Sequence, residues 1–299
     1  MDIARAMGVF SQVATLGSFS KAAERLSLPA ATVTHIVQEL ERELGTRLLH
    51  RTTRKVTLTD DGTLYLERCL RLLADIEDAQ ALFTGSRTKP RGVVRVDLPE
   101  RLARLSIIPA LPGFFAQYPD IQVRLAASDR FVDLVGEGVD CAVRVGPLAD
   151  SSLIARRIGD MEQVNVAAPA YLARYGTPQT LADLAHHLAV SFFSSRAGRD
   201  LAWEYVERGE TRRLKMRSLI SVSSSDAYLA ACLAGLGLVQ VPRHGVDQLL
   251  AQGELVEVLP AYRAAPLPVS VVYARNRQLS ARVRVFVDWL CERALAGAW

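Results

Sequence analysis

The chain has 299 residues, of which 49% are hydrophobic and 23% are charged, and its formal net charge at pH 7 is +4. This composition excludes a mainly disordered chain and a fibre, and the length predicts about two domains that each bury a core. A net charge of +4 permits a polyanionic partner but is small for this length. Whether the chain binds a polyanion must therefore be judged from where its basic residues lie.

Membrane insertion and export are both disfavoured. The longest apolar stretch, Ala227 to Val239, has 13 residues, which is well short of the roughly 20 that span a bilayer. The N-terminal residues lack the apolar region and the cleavage site of a signal peptide. We therefore expect a cytoplasmic protein with no membrane partner.

The four cysteines lie far apart and form no C-x-x-C motif; they are Cys69, Cys141, Cys232 and Cys291. This spacing favours reduced thiols in the core of a cytoplasmic protein. Two disulfides and a redox switch are the alternatives, and nothing in the spacing favours the switch.

Residues 1–58 show three helical patterns separated by tight turns. Apolar residues recur at helical spacing from Ile3 to Ala14, and a second short pattern covers Lys21 to Leu26. Pro29 is suited to begin a third, amphipathic helix, which Gly45 ends. The second and third helices, separated by only a few residues, are typical of a helix-turn-helix, although many helical bundles share the feature.

Positive charge is concentrated just after the third helix. Residues 42–55 carry five basic side chains against the single acid Glu43, whereas the first 90 residues carry 12 basic and 11 acidic side chains. The mixture of Thr, Arg, Val and Leu between Leu48 and Leu58 predicts a short hairpin, or wing. A solvated basic face is the alternative, but the position after a helix-turn-helix favours contact with the DNA backbone.

A long ordered pattern runs through this segment. It comprises Phe10, Val13, residues 17–26, Val33-Thr34, Leu40-Glu41, residues 44–51 and residues 58–62. The pattern resembles the DNA-binding domain of the LysR-type bacterial transcriptional regulators. The resemblance implies an N-terminal all-α winged helix-turn-helix domain that binds double-stranded DNA.

The resemblance also implies positions for DNA contact. Pro29 to His35 would begin the recognition helix, and Arg51 and Arg54 would lie on the wing. Ala30 stands where Gln is common in the family, and its methyl group could meet a thymine methyl, whereas Thr34 keeps a hydroxyl able to reach a base or phosphate. The DNA-binding candidates are Ser20, Lys21, Pro29, Ala30, Ala31, Thr32, Thr34, His35, Gln38, Arg51, Thr52 and Arg54.

Residues 59–87 form one long helical pattern. Its seam recurs at alternating three- and four-residue steps and comprises Leu66, Cys69, Leu73, Ile76, Gln80 and Phe83. Burial within its own domain is the alternative, but a linker-like segment follows at residues 85–90, and positions outside the seam carry Arg68, Arg71, Asp75, Glu77 and Asp78. We therefore predict a dimerisation helix, which the resemblance also implies. Two-fold pairing would present two recognition helices to two half-sites.

From Val93 onward, strands alternate with helices, which predicts an α/β domain. The predicted strands are Val93–Leu98, Ile121–Ala126, Val139–Val145, Val164–Ala167, Leu188–Phe192, Leu238–Val241 and Val269–Tyr273. The predicted helices are Arg101–Tyr118, Arg130–Gly136, Pro169–Tyr175, Leu181–His186, Ser225–Ala234, Gly245–Gln252 and Ser280–Ala296.

Short motifs in this segment resemble the effector-binding domain of the same family, among them Tyr118-Pro119, Arg144-Val145-Gly146 and Gly235-Leu236-Gly237. The resemblance implies a two-lobed fold similar to that of type 2 periplasmic binding proteins. We expect a winged helix-turn-helix domain, a dimerisation helix with a hinge, and an effector-binding domain of two lobes. The expected bounds are 1–58, 59–90 and 91–299, with lobe I at about 91–160 and 268–299 and lobe II at about 161–267.

Small ligands bind where strand ends and helix N-termini converge, here between the two lobes. Ser224 lies just before a predicted helix, whose free N–H groups would favour an anion. Many relatives place a hydroxyl near Glu100, so a carboxylate here leaves room for a cationic or zwitterionic effector. A surface polar group or a helix cap is the alternative for each candidate. The effector-binding candidates are Leu98, Pro99, Glu100, Ser128, Asp129, Phe193, Ser194, Ser223, Ser224 and Pro242.

Motifs of common enzymes are absent: the sequence has no G-x-x-x-x-G-K-[ST], no G-x-S-x-G and no H-E-x-x-H. His186-His187 has no Cys or acid at a familiar ligand spacing. We therefore predict no catalytic activity, no metal and no cofactor.

Together these patterns predict a sequence-specific DNA-binding transcriptional regulator. Its expected partners are an operator with an interrupted inverted repeat, a small-molecule effector, RNA polymerase and further copies of itself, as a homodimer or homotetramer. The alternative is a small-molecule-binding protein whose helix-turn-helix serves only assembly.

Overall fold

The computed structural model describes residues 2–51, 56–81, 89–130, 133–134, 136–148, 153–194, 198–274, 279–295 and 297, with the backbone alone for 77–81. The chain divides into two compact units, Met1–Thr88 and Lys89–Trp299. Each unit has its own hydrophobic core. No helix among the described residues is both long enough and apolar enough to cross a membrane.

The N-terminal unit is a helix-turn-helix followed by a small hairpin and a long helix. Its elements are α1 Ile3–Leu16, α2 Phe19–Leu26, α3 Ala30–Leu44, β1 Leu49–Arg51, β2 Val56–Leu58 and α4 Asp60–Ala81. The predicted winged helix-turn-helix is confirmed. Helix α2 begins two residues earlier than predicted, because the Ser18 hydroxyl accepts a hydrogen bond from the Lys21 N–H at 3.3 Å and caps it.

One core holds the N-terminal unit together, and it includes part of α4. Phe10, Val33 and Leu40 are fully buried there, and so is Cys69. The predicted dimerisation seam is thus wrong at Cys69, whereas Leu66 is half-buried and packs against the same core. Among residues 60–76 of α4, whose side chains are described, the large exposed apolar ones are Leu64, Leu70, Leu72 and Ile76.

Gly62 allows the start of α4 to pack closely on the wing. A Cβ atom built at this position would lie 1.9 Å from the backbone oxygen of Leu48, which is far inside van der Waals contact. Only glycine therefore permits this approach of α4 to the first strand of the hairpin.

Lobe I of the C-terminal unit is built on a five-stranded sheet of order β4-β3-β5-β15-β6. Its strands are β3 Gly92–Leu98, β4 Ile121–Ala127, β5 Cys141–Val145, β6 Leu153–Met161 and β15 Leu267–Ala274. Strand β3 pairs in parallel with β4 and β5, whereas β15 pairs antiparallel with β5 and β6. Its helices are α5 Glu100–Leu102, a π-helical turn at Ala103–Ile107, α6 Ile108–Gln117 and α10 Ala281–Leu295. Phe114, Phe286 and Trp289 pack together in the lobe I core.

Lobe II contains two three-stranded sheets, of order β13-β7-β14 and β12-β8-β9, and a separate hairpin of β10 and β11. The strands are β7 Gln163–Ala167, β8 Leu188–Ser194, β9 Arg199–Asp200, β10 Trp203–Glu207, β11 Glu210–Leu214, β12 Arg217–Val222, β13 Val239–Pro242 and β14 Val256–Glu257. The helices are α7 Pro169–Tyr175, α8 Ser225–Leu233 and α9 Asp247–Ala251, with 3-10 turns at Leu181–His186, Arg243–Gly245 and Pro260–Tyr262. A parallel bridge between Ala189 and Leu238 joins the two sheets.

The predicted α/β architecture is confirmed, with local corrections. The expected helix at residues 130–136 is wrong for the four residues described there, 130, 133, 134 and 136, of which none is helical; the glycine at position 136 has a low helix propensity. Strand β6 was not predicted, since most of its side chains are exposed at the edge of the sheet. The β10–β11 hairpin was also missed; its turn has positive φ at Arg208 and Gly209, as a tight two-residue hairpin turn requires.

Candidate DNA-binding surface and interlobe cleft

Helix α3 divides its side chains sharply between core and solvent. Val33 and Val37 are fully buried. The predicted contact residues at its N-terminal end lie on the other side: Pro29, Ala30, Ala31, His35 and Gln38 are exposed, and Thr32 and Thr34 are half-buried. Ser20 and Lys21 on α2 are also exposed. These candidates of the N-terminal unit are therefore accessible to a binding partner such as DNA.

The hydroxyl of Thr34 already has a partner. It donates a hydrogen bond to the backbone oxygen of Ala30 at 2.9 Å. A hydroxyl has one donor and two acceptor lone pairs, so Thr34 can still accept a hydrogen bond from a base. Suitable hydrogen-bond donors on a base are its amino groups.

The wing carries Arg51 in a defined position. Its Nη2 atom lies 2.7 Å from Oε2 of Glu41 on α3, and its guanidinium carbon lies 4.9 Å from the centre of the Phe19 ring. Two other wing candidates, Thr52 and Arg54, lie outside the described residues.

The ten effector candidates are spread over both lobes. Leu98 is fully buried in the lobe I core, so the expectation that its side chain lines the cleft is wrong. The others are at least partly accessible: Pro99, Glu100, Ser128, Asp129, Ser194, Ser224 and Pro242 are half-buried, and Phe193 and Ser223 are exposed.

Three of the candidates form hydrogen bonds across the cleft. The Ser224 hydroxyl donates to Oε2 of Glu100 at 3.0 Å. The N–H of Ser225, in the first turn of α8, donates to Oδ2 of Asp129 at 2.6 Å, and the N–H of Glu100 lies 3.4 Å from Oδ1 of the same carboxylate. Asp129 therefore accepts from the N-terminal end of a helix in each lobe, where free N–H groups favour negative charge.

A second set of contacts, which the sequence did not reveal, fastens the lobes beside Asp129. Nη1 of Arg101 lies 2.8 Å from Oδ1 of Asp226, and Nη2 of Arg104 lies 3.0 Å from the same oxygen. Arg101 also donates to the backbone oxygen of Gly245. Farther along, Oγ of Ser106 lies 2.8 Å from Nε2 of His244.

The charges of this interlobe cluster are set by their pairing. Burial acts to raise the pKa of Asp226, but the hydrogen bonds from Arg101 and Arg104 outweigh it and hold that pKa below its usual value. Asp226 is therefore negatively charged at neutral pH. No sequence signal pointed to it, because its partners lie more than a hundred residues away in the chain.

The cysteines lie apart from both surfaces. All four are free and buried. Burial raises the pKa of Cys69 to about 11 and that of Cys232 to about 12. Since the thiolate is the reactive form, these side chains behave as core thiols, in agreement with the interpretation of their spacing.

Two family models match the chain. Residues 4–63 match the bacterial regulatory helix-turn-helix protein, lysR family, and residues 87–295 match the LysR substrate binding domain. A helix-turn-helix-type transcriptional regulator of Escherichia coli strain K12, YhjC, is 41% identical to this chain over 97% of each protein. A helix-turn-helix-type transcriptional repressor of Pseudomonas aeruginosa strain UCBPP-PA14, PA14_22550, is 40% identical over 98% of this chain and 92% of its own length.

Solved structures resemble the chain over nearly its whole length. CrgA, a LysR-type transcriptional regulator from Neisseria meningitidis, is 33% identical with a TM-score of 0.61, covering 97% of this chain and 98% of CrgA. The Vibrio cholerae virulence activator AphB is 30% identical with a TM-score of 0.58, covering 99% of each chain.

Proposed function

Because the chain belongs to the LysR family of bacterial helix-turn-helix transcriptional regulators, we propose that it reads an operator with an interrupted inverted repeat through α3. The observation that carries this proposal is the sorting of side chains on that helix. Val33 and Val37 are buried in the unit's core, whereas Ala30, Ala31, His35 and Gln38 are exposed along the opposite side of residues 30–38. A helix that presents accessible side chains at its N-terminal end is suited to the major groove.

Phosphate contacts are the second part of the proposal. Ser20 and Lys21 near the start of α2, with Arg51, Thr52 and Arg54 on the wing, supply hydroxyl and cationic groups of the kind that bind phosphate oxygens. Such contacts fix the register of α3 on the duplex without reading sequence.

We further propose that the protein acts as a homodimer paired through α4, with a homotetramer as a higher assembly. Leu72 and Ile76 lie four residues apart on one face of α4 and are 47% and 40% exposed. Exposed apolar side chains on one helix face favour a partner, and a two-fold pair would match the symmetry of an inverted repeat. Leu72→Glu should shift the solution mass toward the 32.8 kDa monomer in sedimentation. An unchanged mass would remove α4 from the interface.

The proposed effector is a small molecule that binds between the lobes and carries a positive charge. Glu100 and Asp129 accept hydrogen bonds from uncharged groups of Ser224 and Ser225. A cationic group would supply these carboxylates with an opposite charge. To change transcription, this ligand must bind the open and closed cleft with different affinities. The resulting movement would alter the access of RNA polymerase to the promoter DNA. On this proposal the protein works in the cytoplasm, and it acts by binding DNA and effector, not by catalysing a reaction.

The decisive test is retention of genomic fragments. Purified protein is mixed with sheared DNA from its source organism, and the retained DNA is sequenced. We expect enrichment of a few sites that share an interrupted inverted repeat. Gln38→Ala, which alters an exposed position of α3, should reduce that enrichment, whereas Gln252→Ala, an exposed position after α9, serves as the control.

Uniform or absent retention, both without and with an added pool of metabolites, would contradict the proposal. That result would favour a small-molecule-binding protein whose helix-turn-helix serves assembly alone.

A further inference from the structure

Glu41 occupies a junction between α3 and the wing. Its side chain is 13% exposed and accepts three hydrogen bonds. Oε1 accepts from the backbone N–H groups of Leu48 at 3.0 Å and Leu49 at 3.1 Å, while Oε2 accepts from Nη2 of Arg51 at 2.7 Å. One carboxylate thus fixes both the entry to the wing and the cation on it.

Arg51 is held from a second side. Its guanidinium lies over the Phe19 ring, at the start of α2, with 4.9 Å between the guanidinium carbon and the ring centre. The side chain remains 29% exposed. A guanidinium has five N–H donors, and the bond to Glu41 uses one of them, so the ion pair is compatible with a phosphate contact.

We propose that Glu41 is a positioning residue for DNA binding, which holds Arg51 against Phe19 in the orientation that meets a phosphate. This inference rests on the proposed function. An arginine side chain has many rotamers, and fixing it before binding removes an entropic cost from the complex. Nothing in this arrangement requires Glu41 to touch DNA.

The sign of the effect separates positioning from simple electrostatics. A carboxylate close to DNA repels phosphates, so its removal should raise DNA affinity. If Glu41 positions Arg51, its removal should instead lower affinity. Glu41→Gln is the appropriate change, because the glutamine oxygen still accepts from the Leu48 and Leu49 amides, whereas its NH₂ group cannot accept from Arg51.

The experiment measures binding of the full-length protein to an enriched operator fragment over a series of salt concentrations. The variants are Glu41→Gln, Arg51→Gln and the double variant. Glu43→Gln removes the same charge at an exposed position of α3 and is the matched control. Thermal unfolding of each variant reports whether its N-terminal unit remains folded.

We expect Glu41→Gln to weaken binding roughly three- to tenfold, while Glu43→Gln leaves it unchanged or strengthens it. Arg51→Gln should weaken binding and lower the slope of log K against log salt by about 0.9, the value for one phosphate contact. In the Arg51→Gln background, Glu41→Gln should cause no further loss. Phe19→Leu, which removes the ring but leaves the carboxylate, should weaken binding only when Arg51 is present.

Three results would overturn the inference. Glu41→Gln could bind as tightly as the wild type or more tightly, or it could weaken binding equally in both Arg51 backgrounds, which would indicate a general role in wing stability. Arg51→Gln could leave both affinity and salt slope unchanged. Each of these leaves the proposed function intact if the wild type binds its operator, whereas a wild type that binds no DNA refutes the proposed function itself.

Discussion

The interlobe cluster makes a quantitative prediction for Asp226→Asn. Asp226 is 36% exposed and receives hydrogen bonds from Arg101, which is 18% exposed, and Arg104, which is 55% exposed. A charge-assisted hydrogen bond shielded from water contributes about 1.5 kcal/mol, but Asp226 and Arg104 are partly exposed, so solvent screening reduces the combined contribution of the two bonds. Asparagine still offers an oxygen to Arg101. We therefore expect Asp226→Asn to reduce the free energy that holds the lobes together by about 1 kcal/mol, a roughly fivefold fall in the closed-to-open ratio.

A distance measurement between the lobes tests this value. Spin labels would be attached at Gln122, exposed on β4 of lobe I, and at Thr211, exposed on β11 of lobe II. The buried native cysteines should label slowly by comparison. We expect a single short distance for the wild type and a second, longer distance for Asp226→Asn.

The control is Asp288→Asn. Asp288 pairs with Arg156 at 3.1 Å within lobe I and is 52% exposed, so this change removes the same charge from a pair that does not join the lobes. A distance distribution that is unchanged by Asp226→Asn, or changed equally by Asp288→Asn, would refute the assignment of closure to these contacts.

Further predictions concern pH, packing and thiol reactivity. The pairing with Arg101 and Arg104 holds the pKa of Asp226 below its usual value. Its contribution to joining the lobes is therefore complete above the ordinary carboxylate pKa and is lost as pH falls through the lowered pKa; the same distance measurement in acid checks this. Gly62→Ala should lower the unfolding free energy of the N-terminal unit by about 1–3 kcal/mol, because its methyl would collide with the Leu48 backbone. Gly8→Ala, inside α1 with open space around it, should instead raise the unfolding free energy by about 0.5–1 kcal/mol in the same denaturation experiment. The four buried cysteines should react with a thiol reagent only after denaturant is added, and rapid reaction in native buffer would contradict their burial.

The N-terminal unit was predictable because its signals are local. A proline at the start of α3, apolar residues at helical spacing and a basic run after it each concern a few neighbouring positions. The assignment of α4 failed in part for the opposite reason. A helical seam shows which residues share a face, but the sequence does not say whether Cys69 faces its own core or a second copy, and here it is fully buried in its own core.

The C-terminal unit shows the limit of the same reasoning. Strand β7 is buried on both faces, and its two valines, Val164 and Val166, mark it in the sequence, whereas the edge strand β6 and the β10–β11 hairpin carry many exposed polar residues. The pairing of Arg101 with Asp226 joins residues 125 positions apart. No spacing rule links such positions, so this part of the cleft emerges only from the fold.

The lobe I candidates near the strand ends differ in accessibility. Leu98 ends β3 and follows the alternation of Val94 and Val96 into the lobe I core, whereas Glu100 and Asp129 lie beyond the strand ends and reach lobe II.

Free N–H groups at the N-terminal end of α8 favour an anion, and the structure places the chain's own Asp129 there, with Oδ2 at 2.6 Å from the Ser225 nitrogen. An anionic effector would have to displace this carboxylate and then face Glu100 beside it. A cationic effector meets two acceptors already in place, because both carboxylates are oriented by Ser224 and Ser225. On the proposed function, the contacts that join the lobes also favour a cationic ligand, and Asp129→Asn should weaken the response to a cationic effector while easing access for an anionic one.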